Sequence, residues 1–173
     1  MKKYLIMSVV IILLIIIGGW VFLYIGLLIG ETPKKPVNIY GEFPFILTYE
    51  INGEIKVIQD IIVCTYDGIG LNEASGKYRK WSSVLKSGNN EIILLKINDT
   101  FEIYYNHGSA QYYMGDIEQL SDLSANPIGV RYKEKVKNIF NKDGSLDAET
   151  LWNTYAIRII SWECAPPIHN VFK

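Results

Sequence analysis

Two histidines, two cysteines and a few scattered carboxylates are the residues of this chain whose chemistry could carry a reaction. Nucleophilic catalysis needs a Ser or Cys within reach of a base. His107 falls in the predicted turn Asn106-His107-Gly108, and His169 lies near the C-terminus. No serine occupies a Gly-x-Ser-x-Gly elbow, so both histidines read as solvated loop residues. A Ser-Lys pair stays open, because its partners need not be neighbours in sequence. A glycosidase would need two carboxylates flanking the scissile bond. Asp67, Glu73, Asp116 and Glu118 sit in predicted loops, where functional groups gather. Spacing does not say whether any two of them meet, and solvation at the surface is the ordinary fate of such groups.

Metal and cofactor chemistry find less support. There is no His-Glu-x-x-His and no close His/Cys/Asp cluster. The stretch Asn141 to Asp147 invites comparison with the middle of a calcium loop. In that register Ile139 takes the first ligand position and Thr150 the place of the bidentate Glu. It reads instead as a glycine turn before a helix cap. Gly68 and Gly70 complete no dinucleotide fingerprint, since no helix pattern follows them. No cofactor, metal or enzymatic activity is expected. Cys64 and Cys164 allow a single disulfide in an oxidising compartment; the alternative is two buried free thiols.

Two patches suit recognition. Lys77, Arg79 and Lys80 interleave with Tyr78 and Trp81 on a predicted strand. Alternation puts Lys77, Arg79 and Trp81 on one face and Tyr78 with Lys80 on the other. Such a surface could hold anionic envelope polymers or lipid headgroups, or it could simply protect a sheet edge. Tyr104, Tyr105, Tyr112 and Tyr113 fall on predicted neighbouring strands. They could bind sugars or a protein, or pack across strands.

The elements that must position these residues divide the chain sharply. From Tyr4 to Ile29 there is no charged residue. As a helix this run is about 39 Å long, more than the ~30 Å bilayer core. It is too long for a signal-peptide core, and Leu28-Ile29-Gly30-Glu31 is a poor cleavage site. An uncleaved transmembrane helix over 4–29 is therefore expected, behind a cytoplasmic leader 1–3. Lys2 and Lys3 on one side and Lys34 and Lys35 on the other tie under the positive-inside rule. The short leader favours an exported C-terminal domain. Gly26 and Gly30 have the spacing that lets two membrane helices approach, although glycine is common in such helices.

A linker over 30–36 carries Pro33 and Pro36, which end the helix. The outer domain, 37–173, reads as α+β, mainly antiparallel β with one or two short helices. Phe45, Leu47, Tyr49 and Ile51 alternate with Ile46, Thr48 and Glu50 up to Asn52-Gly53, the strongest short hairpin signal. The second strand continues through Tyr66, with a period slip at Gln59-Asp60 that suggests a bulge; Asp67 to Gly70 reads as a loop. A second hairpin is expected about Asn98-Asp99, and a strand over Gln111 to Met114. Lys133 to Phe140 reads weakly as a helix, and Asn141 to Ser145 as a turn. Asp147 should cap a helix over Ala148 to Tyr155, with a buried strand from Ile157 to Glu163.

Gly41-Glu42-Phe43-Pro44-Phe45, Gly76 to Trp81, Tyr112 to Asp116, and Ile159 to Glu163 with Pro166-Pro167-Ile168 resemble segments of small membrane-anchored proteins of low-GC Gram-positive bacteria. No activity is attached to that group. The resemblance implies a bacterial envelope setting and carries no functional residues across. Cys164 departs from the group's pattern, so a disulfide is not implied as a shared trait.

The net charge of −1 supplies no field that would steer the chain to nucleic acid. The expected protein is a single-pass cell-membrane protein, embedded through 4–29. Its outer domain reads as a non-catalytic binding module with an envelope glycan, anionic polymer or protein as partner. The alternatives are an envelope-polymer hydrolase using loop carboxylates and a small accessory or immunity-like membrane subunit.

Overall fold

A computed structural model describes residues 2–72, 76–89, 91–117, 128–136 and 140–173. The elements are α1 (Lys2–Ile29), β1 (Tyr40–Ile51), β2 (Glu54–Asn72), β3 (Gly76–Leu85), β4 (Ile92–Asn98), β5 (Phe101–Asn106), α2 (Ala110–Tyr113), β6 (Gly129–Val136), β7 (Phe140–Ser145), α3 (Ala148–Tyr155) and β8 (Ile157–Cys164). The protein is mainly antiparallel β, with short helices in its β part. The chain forms two compact units, Met1–Lys35 with Gly68–Lys80, and Pro36–Asp67 with Trp81–Lys173.

In the first unit the large apolar side chains described along α1, from Tyr4 to Phe22, are 48% to 77% exposed. The continuous run of described side chains in this helix is 10–22. Among the described residues no helix is long and apolar enough to cross a membrane. The helix ends where Gly30 N–H donates to the Gly26 carbonyl at 3.2 Å. Lys77 Nζ donates to the Gly30 carbonyl at 2.9 Å and to Thr32 Oγ1 at 3.1 Å. A cation at a helix C-terminus complements the negative end of its dipole. Arg79 Nη1 donates to the Lys34 carbonyl at 3.3 Å.

The strands form two four-stranded sheets, ordered β3-β2-β1-β8 and β4-β5-β6-β7. The pairings β1–β2, β1–β8, β4–β5, β5–β6 and β6–β7 are antiparallel. Asn52 and Gly53 both take positive φ, 52° and 82°, as a two-residue type I′ turn demands. That turn sets the register Ile51↔Glu54 and sends Phe43, Phe45, Leu47 and Tyr49 inward. They share one core with Ile62 and Cys64 of β2, Ile103 and Tyr105 of β5, and Val130 of β6. Tyr105 and Phe45 both pack on Trp162, with ring centroids 4.8 and 4.9 Å away. The two ends of the second unit are tied together: Asn170, 5% exposed, exchanges hydrogen bonds with the Asn38 backbone at 2.8 and 3.0 Å. Val37 N–H donates to Val171 O at 2.8 Å.

Several expectations need correction. The β1–β2 register runs from Ile51↔Glu54 to Tyr40↔Thr65 without a shift, so there is no bulge at Gln59-Asp60. Asp60 occupies an inward position opposite Phe45, and its Oδ1 accepts from the N–H groups of Ile61 and Ser87. The irregularity lies on the other flank of β1, at Thr48/Tyr49 against β8. The loop read at Asp67–Gly70 is strand, since β2 continues to Asn72. The strand read at Gln111–Met114 is the helical turn α2, nucleated by Ser109 Oγ, which accepts from Tyr112 N–H at 3.3 Å. Of the helix read at Lys133–Phe140, the residues up to Val136 belong to strand β6 and Phe140 opens strand β7, while 137–139 lie outside the described residues; the turn read at Asn141–Ser145 is part of β7. Aromatic packing outweighs weak helical periodicity there: Tyr132 stacks on Phe101 at 5.6 Å. Helix α3 begins where expected, with Asp147 Oδ1 accepting from Thr150 N–H at 2.8 Å.

Cys64 and Cys164 are free thiols, which corrects the candidate disulfide. The register explains why. Cys64 on β2 faces Gly41 and Cys164 on β8 faces Phe45, on opposite flanks of β1. Two strand spacings, about 9.6 Å, separate them laterally, beyond the ~7 Å Cα limit for a bridge. Burial pushes the Cys64 thiol up to about 12. Native protein is therefore expected to leave Cys64 unmodified by a maleimide until it unfolds, when both thiols react. A mobility difference between reduced and non-reduced samples would contradict this.

Candidate functional site

A polar concavity lies where β5 ends. A hollow of about 220 Å³ is lined by Ser83 of β3, Glu91 just before β4, Tyr104, Tyr105 and Asn106 of β5, and His107 and Gly108 after it. The chain can leave the sheet here because Gly108 takes φ 96°, a conformation glycine adopts at no steric cost. Asn106 Oδ1 accepts from Gly108 N–H at 3.3 Å and closes the turn.

His107 is held from behind. Its carbonyl accepts from Tyr113 Oη at 2.5 Å, and its ring lies 6.2 Å from the Tyr113 ring. The residue is only 7% exposed, yet Nδ1 has no hydrogen-bond partner. A buried polar atom left unpaired is uncommon, because it costs about 1–3 kcal/mol. Burial lowers the pKa of the imidazole, which keeps it neutral at physiological pH.

Glu91 forms an ion pair with Lys133. The Lys133 ammonium also lies 4.9 Å from the Tyr104 ring centroid. Tyr104 Oη reaches both oxygens of Asp143 at 3.1 Å, and Arg131 Nε donates to the same carboxylate at 3.2 Å. Burial first, and the Asp143 charge second, push the Tyr104 phenol up to about 12. The rim thus carries the Glu91 carboxylate, the Ser83 hydroxyl and the Asn106 amide, while the His107 Nδ1 lies beneath the surface. Such groups hold a ligand by hydrogen bonds.

The effect of pH follows from His107. Its folded pKa lies below the ordinary 6.5, so between the two values the unfolded chain binds more protons. Stability from neutral His107 is fully present above pH ~6.5 and is lost as pH falls toward the folded value. Thermal unfolding is expected to show a larger drop in Tm between about pH 7.5 and about pH 5.5 for the native chain than for His107→Gln. Equal drops would show that the ring titrates normally.

Most of the candidate interaction surface proves not to be surface. Arg79 is 4% and Trp81 8% exposed. Lys77 and Arg79 hold the backbone of the linker instead. Tyr78 is half-buried, its ring lying where a Cβ on Gly70 would be; Lys80 alone of the five is exposed. Tyr104, Tyr105 and Tyr113 are buried and only Tyr112 reaches solvent. Trp81 Nε1 donates to Asp116 Oδ2 at 2.8 Å, and Asp116 is fully buried. That carboxylate supports the core and does not face a polymer. Asp67 is exposed, while Glu73 and Glu118 lie outside the described residues. Asp143, in the stretch compared with a calcium loop, sits on β7 and binds Arg131; Ile139 lies outside the described residues. Among the described residues no three His, Cys, Asp or Glu gather to hold a metal. His169 is exposed, as read. A Cβ on Gly26 would meet nothing within 4 Å.

His107 is buried and not the solvated turn residue that its Asn-His-Gly setting suggests. The signal of its burial is the run Tyr104-Tyr105-Asn106-His107, with aromatic neighbours that carry burial past the strand end. Compared with family models, curated proteins and solved structures, the chain has no match.

Proposed function

We propose that this protein is a single-pass, membrane-anchored binding module whose β domain works on the outer side of a bacterial cell membrane. The observation that carries the reading is the exposure of every described side chain in the apolar stretch 10–22. Between Tyr4 and Ile29 the sequence holds no charge. The thirteen successive residues 10–22 sample every face of the helix, and all of them are exposed. A stretch that is apolar all round needs apolar surroundings; residues 10–22 alone are too short to cross, so the spanning length rests on the uncharged sequence run 4–29, about 39 Å as a helix against the ~30 Å hydrocarbon core. The β domain has a core of its own and does not need the helix for one.

A binding role, and not hydrolysis by loop carboxylates, is favoured by the burial of Asp116 under Trp81. The test is extraction of native membranes. The chain is expected to stay in the pellet after alkaline carbonate and to leave it only with detergent. Release by carbonate alone would sink the anchor.

A further inference from the structure

We propose that the neighbouring ends of β2 and β3, residues 68–72 and 76–80, form a lipid-binding surface that lies on the anionic phospholipid headgroups around the anchor. This surface rests on the reading of α1 as a membrane anchor, but not on which side of the membrane the β domain occupies.

Three observations select the partner. The first is position. Lys77 Nζ donates to the Gly30 carbonyl and to Thr32 Oγ1, and Arg79 Nη1 donates to the Lys34 carbonyl. Both side chains leave one face of β3 and grip the chain that directly follows α1. An anchor that ends at Ile29 sets that chain at the level of the headgroups, and the gripped strand end is held there with it. The second is charge. The compact unit made of 1–35 and 68–80 carries seven basic residues against two acidic ones, Glu31 and Glu73, whereas the other unit carries ten against sixteen. Cations thus gather with the helix in a chain whose net charge is −1. Lys34, Lys35 and Lys80 are exposed. The third is apolar exposure. Ile69 and Leu71, two apart on β2 and so on one face, are 37% and 40% exposed.

Exposed lysines beside exposed aliphatic side chains suit the boundary between headgroups and acyl chains. The ammonium groups meet lipid phosphates, and the aliphatic groups enter the acyl boundary. A soluble polyanion would satisfy the lysines and leave Ile69 and Leu71 in water. Lys77 and Arg79 act as positioning residues. Their bonds to the backbone after α1 keep the strand ends beside the anchor before any lipid is met, which lowers the ordering cost of binding.

The experiment uses the full chain in vesicles of phosphatidylcholine, alone or with about a third of phosphatidylglycerol, at physiological salt. A nitroxide is attached at Leu71→Cys, with Cys164→Ser removing the thiol that is not fully buried. Ile69→Cys is the second site should the first variant fail to fold. Relaxation by oxygen, which concentrates in lipid, and by a nickel chelate, which stays in water, reads the depth of the label. Over anionic vesicles the label is expected to be open to oxygen and shielded from nickel, and over neutral vesicles the reverse. Each lysine near a charged membrane favours the docked state roughly fivefold. Lys34→Gln, Lys35→Gln and Lys80→Gln together should therefore lower the ratio of docked to undocked protein on the order of a hundredfold and return the label to water. Equal nickel access over the two vesicle types overturns the proposal, as does shielding that the three substitutions leave unchanged. Shielding by dissolved polyphosphate over neutral vesicles, with none from anionic lipid, also overturns it and assigns the lysines to a soluble polyanion. A label left in water on vesicles that keep the protein through alkaline carbonate overturns the surface and spares the anchor; protein lost to carbonate overturns both.

Discussion

Replacing Ile15 and Ile16 together by lysine should move the protein from the membrane pellet to the soluble fraction. Both residues lie at the middle of α1, and both are exposed, at 68% and 50%. Each lysine at the centre of a spanning helix opposes insertion by about 2.5–3.5 kcal/mol. The pair therefore costs about 5–7 kcal/mol, a loss that the remaining apolar residues have to offset. The thermal unfolding of the β domain should not change, because neither side chain belongs to its core. Ile15→Val with Ile16→Val is the matched control and should stay in the pellet. Full retention of the lysine pair would mean that something other than the helix holds the chain at the membrane.

Tyr113→Ala should unfold or nearly unfold the β domain, whereas Tyr112→Ala should be tolerated. Tyr113 is 1% exposed and is the largest of the fully buried side chains among the described residues. Its ring packs on Phe43 at 5.0 Å, and its hydroxyl donates to the His107 carbonyl. Truncating a buried aromatic residue costs about 3–5 kcal/mol, a large share of the ~5–15 kcal/mol that holds a domain folded. Tyr112, its sequence neighbour, is 36% exposed and touches Tyr113 edge-on at 5.2 Å; its loss should cost about 0.5–1.5 kcal/mol. Urea unfolding of both variants separates the two. A Tyr113→Ala protein as stable as the native chain would return that tyrosine to the surface.

The contrast shows what the sequence could and could not reveal. The Asn52-Gly53 hairpin, the Asp147 cap and the β8 strand were legible because each rests on local chemistry: positive φ, a side-chain acceptor, an apolar run closed by prolines. Strand alternation also told correctly that Arg79 and Trp81 share a face. It could not tell which face is inside. That depends on the second sheet, and on Asp116, thirty-five residues away in sequence, receiving the Trp81 N–H. Consecutive tyrosines carry the same ambiguity, since Tyr is at home both in a core and at a surface. The helix at Lys133 was misread because a 3.6-residue pattern of three apolar side chains is weak beside pairing with β5, which only the fold supplies. The hollow at His107 was illegible for a similar reason. Its wall comes from β3, β5 and the segment before β4, and nothing local joins Ser83, Glu91 and His107.

The central claim is that one helix anchors the chain and leaves its β domain outside the cell. Protease added to intact protoplasts tests it most directly. The reading predicts that fragments of 37–173 disappear without lysis, while a cytoplasmic marker protein stays whole. A β domain that survives in intact protoplasts and is cut only after detergent lysis would contradict it, because the domain would then face the cytoplasm.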